Sequence, residues 1–476
     1  MALVDGPGGP EVSTEPLGET GLFRRMGHRP VVSADVQSVC CSYAREIWFY
    51  GRDSAVSDNE YPKSMSGWLN STVLGIGAAS LFSDIGHEMA TTAMPALLGM
   101  LGATPAALGL IEGFADGVSS FAKLFSGLYS DQLKKRKPLA IIGYLVTALG
   151  MASFALATQW WHVLIGRVGG WLGRGVRTPV RNVLLTEATT SHSYGRAFGL
   201  ERAMDSAGAV IGPLLALLLL TIFGTHHFRW LFACTLIPGG LAALCIALLV
   251  REKPHVPHDR TGLWGGMKKL PSEFYRYLFG VGIAGIGNFS NTLLILWATE
   301  AWTPRFGGHN AAAFAMAFYA GYNVIYSLSC YCSGRLADRF AKNRILAAGY
   351  AIAVIPATAL LWPGNSFLKF VIVFGFSGLY MGVWETLESA TSAVMLPQNV
   401  RGTGFGVLAT VNGIGDFVSS ALVGCLWVFS PLASMVFVMA TSLIGAGIIA
   451  RTDQVVPNAL AETTPRMDDK GIAITV

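Results

Sequence analysis

Acidic and basic side chains recur in this chain inside segments that are otherwise apolar. Asp84, Glu88, Thr91 and Pro95 fall on one helical stripe, with His87 beside it. Glu112, Asp116, Ser119 and Lys123 make a second stripe, while Arg167, Arg174 and Arg181 recur every seven residues, with Arg177 to one side. Glu201, Asp205, Glu385, Glu388, Asn412 and Asp416 extend the set. At the centre of a bilayer each charge costs about 3 kcal/mol unless it faces a partner or a wet cavity. Such groups must face one another or water inside a bundle. There carboxylates can take up and release protons, and a nearby guanidinium can favour one state over the other. Asp84 and Glu88 lead this reading, with Glu112, Asp116, Arg167, Arg174, Glu385 and Asn412 as further candidates for a proton-coupling site or substrate cavity. Asp84, His87 and Glu88 also set two carboxylates and an imidazole within about one turn, a partial ligand set for a divalent ion. The same spacing serves proton relays, and beyond His226-His227 no His-rich segment speaks for metal handling.

The elements that position these groups follow from composition. Of 476 residues, 52% are hydrophobic and 13% charged, with a mean hydropathy of +0.48. A soluble domain carries about 25% charged residues, so most of this chain sits in lipid. A spanning helix needs roughly 20 mostly apolar residues. Twelve runs qualify: 69–98, 105–130, 138–158, 161–189, 195–222, 228–250, 274–302, 310–334, 343–362, 366–395, 402–428 and 431–450. We number them spans 1 to 12. The fold expected is an all-α membrane protein of two pseudo-symmetric six-helix bundles, 68–250 and 274–451. A polar linker, 251–273, joins them and carries Pro254, Pro257 and Pro271. Residues 1–67 read as a disordered tail with no cleavable signal, and 452–476 as a second tail. The cysteines imply no disulfide framework; Cys330 and Cys332 are too close in a helix to face each other.

Basic residues set the orientation. Loop 2–3 carries Lys134, Lys135, Arg136 and Lys137, and loop 8–9 carries Arg339, Lys342 and Arg344, whereas loops 1–2 and 11–12 carry none. The positive-inside rule then places both termini in the cytoplasm. Three matches at one offset of 207 residues relate the halves: SGLYSD at Ser126–Asp131 with SGRLAD at Ser333–Asp338, Gly195–Gly199 with Gly402–Gly406, and Phe82–Asp84 with Phe289–Asn291. A duplicated bundle puts its cavity between the copies at mid-membrane.

Gly127-Leu128-Tyr129-Ser130-Asp131 followed by the basic cluster resembles the signature of the major facilitator superfamily, and Gly334-Arg335-Leu336-Ala337-Asp338-Arg339 resembles it again. The resemblance, which covers about residues 68–450, implies a gate that holds one conformation, built from Gly127, Asp131, Arg136, Gly334, Asp338 and Arg339. In span 5, Gly199, Gly208, Gly212 and Pro213 resemble the Gly/Pro motif of proton-coupled antiporters, with Ala216 in place of its last Gly. Arg167 stands where that group has a relay arginine, without the Gln-Gly step beside it. Leu110–Gly113, Arg174–Pro179 and Arg401–Gly406 look like a branch of bacterial permeases whose substrates are mostly unassigned. Arg177, Arg181 and Glu187, near the cytoplasmic end of span 4, are expected to snorkel or to pair with Asp131.

No phosphate-cradling Gly-x-x-x-x-Gly-Lys loop occurs, so ATP is not expected to drive the protein directly, and no enzyme activity or cofactor is implied. The basic residues are dispersed over loops, which argues against a nucleic-acid partner. The reading is a monomeric, multi-pass transporter in the cell membrane that exports a small molecule (efflux) by proton-coupled alternating access. Its rivals are a carrier of a divalent metal or metal chelate, and a sensor or scaffold that transports nothing. In a background without native cysteines, Cys at Thr104 or Gly308 is expected to react with an impermeant thiol reagent added outside, and Cys at Lys135 is not. Labelling of position 135 from outside overturns the orientation.

Overall fold

The computed structural model describes residues 67–103, 105–223, 228–253, 263–288, 291–452, 466–467 and 473–474. All but Gly67 of the expected N-terminal tail, and most of the C-terminal one, lie outside them. The helices group into twelve spans. Spans 1, 2, 4 and 5 are Ser71–Met100, Pro105–Gln132, Trp160–Ala188 and Tyr194–Phe223, and spans 8, 10, 11 and 12 are Gly308–Ala337, Phe367–Met395, Arg401–Phe429 and Pro431–Ala450. The other four are broken. Span 3 is Lys137–Ala152 continued by a 3-10 turn, and span 6 is Phe228–Cys234 with Leu236–Leu249. Span 7 is Ser272–Ile286 with Asn291–Phe306, and span 9 is Lys342–Ile352 with Val354–Leu361. A short helix, Leu263–Lys268, lies in the linker. Arg466–Met467 and Ala473–Ile474 pair as a small antiparallel ladder.

Two breaks have one cause. Pro238 and Pro356 each lie four residues after the last residue of the preceding helix, Cys234 and Ile352. Proline offers no N–H to that carbonyl, and its ring crowds it. The break in span 7 departs from the single helix expected over 274–302. At Gly287, an added Cβ would meet Thr441 Oγ1 of span 12 at 1.9 Å, so the backbone passes span 12 too closely for any side chain.

The repeat holds residue by residue. Trp160 and Ala188 bound span 4 as Phe367 and Met395 bound span 10, 207 residues on, and span 5 starts at Tyr194 where span 11 starts at Arg401. Within the first half, span 1 packs on spans 5 and 6, and span 4 on spans 2 and 3. Between halves, span 5 packs on span 8 and span 2 on span 11. Asn70 caps span 1 by accepting the N–H groups of Thr72 and Val73, and its Nδ2 donates to Ala188 O at 2.8 Å, tying span 1 to the end of span 4. Outward-facing leucines and isoleucines such as Leu149, Ile165, Leu217, Leu248 and Ile444 present an apolar surface far larger than a soluble monomer shows. Among the described residues, seven spans meet a strict hydropathy and charge limit; spans 1, 2 and 4, which carry the charged stripes, are not among them.

Glycine sets how closely spans 3 and 4 approach. A Cβ on Gly150 would lie 2.4 Å from Gly170 N and 2.7 Å from Gly166 O, whereas one on Gly169 would meet nothing within 4 Å. Gly150→Ala is therefore expected to lower thermal stability by about 1–3 kcal/mol through overpacking. Gly169→Ala should be neutral or raise it by about 0.5–1 kcal/mol. Equal melting temperatures for the two variants in detergent would contradict this packing.

Candidate functional site

Span 4 carries four arginines through the first half, and the neighbouring spans meet them with carboxylates. Arg174 Nη1 lies 3.2 Å from Asp84 Oδ1 of span 1, and its Nη2 3.9 Å from Asp205 of span 5. Arg181 pairs with Glu201 at 2.7 Å and donates to Ser80 Oγ at 2.9 Å, while Ser80 itself donates to Glu201 at 2.7 Å. Arg167 pairs with Glu112 at 3.0 Å and donates to Thr91 at 2.8 Å. The guanidinium groups of Arg167 and Arg174 both stand 5.3 Å from the Trp171 ring, on whose edge His87 rests. Among the described residues Arg177 pairs with no carboxylate; fully buried, it lies over the Tyr144 ring at 4.2 Å.

Among the described residues, the network crosses into the second half at Arg202. Arg202 on span 5 pairs with Glu201 at 3.3 Å, reaches Asp205 at 3.7 Å, and pairs with Glu385 of span 10 at 3.3 Å. Tyr326 of span 8 donates to the same Glu385 oxygen at 3.0 Å. At this bridge is a cavity of about 250 Å³ lined by both halves. Lys123, Trp171, Arg174, Arg202 and Asp205 line it from one side, Trp384, Glu385, Glu388, Asn412 and Asp416 from the other. Glu388 is buried and accepts hydrogen bonds from Tyr350 Oη, Trp384 Nε1 and, at 2.6 Å, Asn412 Nδ2. Asn288 donates to Asp416 at 3.2 Å. The repeat maps Arg181 onto Glu388 and Asp205 onto Asn412, and both pairs face each other: 3.9 Å in the first half, 2.6 Å in the second. Phe198 and Phe405, also repeat-related, meet on the axis with ring centroids 6.1 Å apart.

Below the cavity the halves are joined by two matching contacts. Asp131, at the end of span 2, accepts the backbone N–H of Gly402 at 2.8 Å and of Thr403 at 2.7 Å, plus the Thr403 hydroxyl at 2.8 Å. Asp338, at the end of span 8, accepts the N–H of Gly195 at 2.8 Å and of Arg196 at 3.1 Å, plus Arg196 Nε at 2.7 Å. Each carboxylate thus fills the open N–H groups at the first turn of a helix in the other half, where the helix dipole also favours negative charge. Glycine makes the approach possible: a Cβ on Gly127 would sit 2.3 Å from Gly402 O, and one on Gly195 2.2 Å from Gly334 O.

The structure brings most residues singled out from sequence into this one system. Gly208 and Gly212 seat span 5 directly behind Asp84 and Glu88; added Cβ atoms would lie 2.9 Å and 2.8 Å from their Cβ atoms. Gly199 instead faces span 8, 2.5 Å from Cys330 O by the same measure, and Pro213 lies inside span 5. Five expectations are corrected. Arg177 and Arg181 do not snorkel, because Tyr144 and Glu201 hold them inside. Glu187 does pair, but with Arg136, which also lies 3.8 Å from Asp131. Arg339 is exposed, and the cations nearest Asp338 are Arg196 and, at 3.9 Å, Lys342. Asp116 is exposed and joins no ion pair among the described residues. The alternative of a metal held by Asp84, His87 and Glu88 does not fit either. Arg174 occupies Asp84 and His87 packs on Trp171, and no group of three ligands able to hold a metal forms among the described residues. Arg202, Tyr326, Tyr350 and Trp384 escaped notice. The available signals were Arg202 three residues before Asp205 and Trp384 four before Glu388, each in an apolar span.

The profile of the Major Facilitator Superfamily matches residues 76–420. An uncharacterized MFS-type transporter of Methanocaldococcus jannaschii is 26% identical over 363 residues, 76% of this chain and 90% of the relative. Multidrug resistance protein MdtH of Photorhabdus laumondii is 33% identical over 176 residues, 36% of this chain and 42% of its own length. Among solved structures, the Escherichia coli fucose:proton symporter FucP superposes with a TM-score of 0.65 at 16% identity, covering 81% of this chain and all of FucP.

Asp131→Asn and Asp338→Asn keep shape but turn one acceptor oxygen into an NH₂ that faces an N–H. Each should weaken its contact enough to raise cysteine accessibility at the loop-2–3 end of the cavity by roughly tenfold. If both variants match wild type in accessibility on each face, the contacts do not hold this state.

Proposed function

Because the chain belongs to the major facilitator superfamily, we propose that this membrane transporter exports a small organic compound in exchange for protons by alternating access. In this reading both termini are cytoplasmic, the membrane is the cell membrane, and the two bundles rock about the cavity between them. The Asp131 and Asp338 contacts close the cytoplasmic end in the state described. The export direction draws on the span-5 glycine pattern and on the likeness of 36% of the chain to a protein named for multidrug resistance.

One observation carries the proton coupling: the ion-pair chain from Asp84 through Arg174, Asp205 and Arg202 to Glu385 runs from span 1 to the other half, past the cavity. A proton on Asp84 removes the charge that holds Arg174, which then turns more fully to Asp205. Asp205 in turn offers less to Arg202, and the Arg202–Glu385 bridge between the halves is altered. Breaking one partner of a buried pair costs about 3–5 kcal/mol, and about 5.5 kcal/mol reverses a 1:99 population. A change of about 3–5 kcal/mol falls short of that full reversal but shifts the balance between states by roughly a hundredfold or more. The repeat supports the choice of Asp84: its counterpart is the uncharged Asn291, so the shared architecture does not require that charge. A scaffold that moved nothing would have no use for such a chain at a cavity.

In proteoliposomes, Asp84→Asn should abolish gradient-driven accumulation, lowering it at least tenfold, while substrate exchange without a gradient and membrane insertion persist. The pH dependence of transport should flatten in the same variant. Full proton-driven flux with an unaltered pH profile would make Asp84 structural and pass the role to Glu112 and Asp116.

A further inference from the structure

A groove of about 980 Å³ opens at the rim of the first half, between the start of span 3 and the end of span 6. Lys134, Lys135, Arg251 and Lys253 converge on it from two separate chain segments, with Ile142 and Leu248 beneath them. Two other charged groups there are already engaged. Lys137 Nζ donates to the carbonyls of Ala247 at 2.7 Å and Val250 at 2.8 Å, closing the end of span 6. The Glu252 carboxylate accepts the backbone N–H groups of Arg136 and, at 3.3 Å, Lys137. Among the described residues, the four remaining cations have no ion-pair partner. From the groove an apolar track runs down the bilayer-facing side: Ile142, Leu145 and Leu149 on span 3, and Leu241, Leu244 and Leu248 on span 6, at i, i+3 and i+7 on each.

Cations above two parallel rows of exposed leucine and isoleucine match the shape of a phospholipid, an anionic head on apolar tails. We propose that this groove seats the phosphate headgroup of an anionic phospholipid from the adjacent leaflet, with its acyl chains along spans 3 and 6. The proposal rests on the preceding reading only in taking these ends to lie at the bilayer surface. Basic pockets between spans on the cytoplasmic side are the expected receptors for such lipids. The repeat argues that neither the fold nor the Asp131 contact needs these charges. In the second half Ala341 stands for Lys134 and Asn343 for Arg136. Lys342, which stands for Lys135, is spent on Ala337 O at 3.0 Å and on Asp338, and the Asp338 contact forms all the same. A lipid bound in the groove would brace the loop that carries Arg136, and through it Asp131.

The test is native mass spectrometry of the full-length protein in detergent, offered phosphatidylglycerol and phosphatidylcholine of identical acyl chains. Wild type should retain one phosphatidylglycerol in roughly tenfold preference to phosphatidylcholine. K134Q/K135Q and R251Q/K253Q should each lower that preference at least threefold, while K134R/K135R and the control K268Q/K269Q keep it. Melting temperatures establish that each variant is folded, and the two glutamine pairs give independent readings should one not fold. Wild type that does not discriminate, or both folded glutamine pairs retaining the lipid as wild type does, overturns the proposal. Displacement of the lipid by soluble glycerol phosphate at comparable concentration also overturns it, in favour of a free organophosphate site. The readout needs no transport, so a chain that fails the Asp84 test still decides this one.

Discussion

A guanidinium cannot stand alone in hydrocarbon, and the inside of this protein is organised around that fact. Span 4 brings Arg167, Arg174, Arg177 and Arg181 through the first half, and three of the four find carboxylates on spans 1, 2 and 5. The fourth, Arg177, lies on a tyrosine ring. These partners fix which faces of spans 1, 2 and 5 turn inward, and so which apolar faces turn to lipid. Glycine is the complementary requirement: Gly208 and Gly212 let span 5 press against span 1 at Asp84 and Glu88, close enough for Arg174 to reach both Asp84 and Asp205. A side chain larger than hydrogen at either glycine would drive the two carboxylate-bearing helices apart.

The same economy joins the two halves. Each half contributes an aspartate at the end of its second span and, as its fifth, a helix whose second residue is glycine, so each contact uses one element from each copy. Because the contacts are made to backbone N–H groups, they demand a bare backbone, and Gly127, Gly195, Gly334 and Gly402 all meet a backbone atom within 2.5 Å of where a Cβ would be.

Much of this was legible in the sequence, and for physical reasons. Lipid imposes a length on every span, so the ends read from hydropathy agree with the helices within a few residues. The duplication doubles each signal, which made the 131 and 338 positions stand out. Pairing was harder to read. That Asp338 would take Arg196 from span 5 in place of Arg339 beside it depends on how the halves meet, which no local pattern records. Arg202 was overlooked because a single charge beside Glu201 looks like a local pair, whereas its reach to Glu385 spans 183 residues of chain. The close approach of Gly287 to Thr441, at the break in span 7, was hidden for the same reason: Thr441 lies on another helix.

The two halves share a backbone and differ in the chemistry hung on it. The position that is Arg181 in the first half is Glu388 in the second, and the position that is Asp205 is Asn412, yet in each half the two still face each other. What the architecture conserves between the copies is therefore a polar contact between the fourth and fifth spans of a bundle, and the sign of charge is free to vary. In the first half that freedom is spent on a chain of ion pairs, each depending on the next. In the second it is spent on Glu388, a carboxylate satisfied by neutral donors from three spans. A chain of mutually dependent charges responds along its whole length to one added proton, whereas a carboxylate held by neutral donors responds locally. The asymmetry between the copies thus places the linked charges in one half and the neutrally held carboxylate in the other, and Arg202 with Glu385 joins the two.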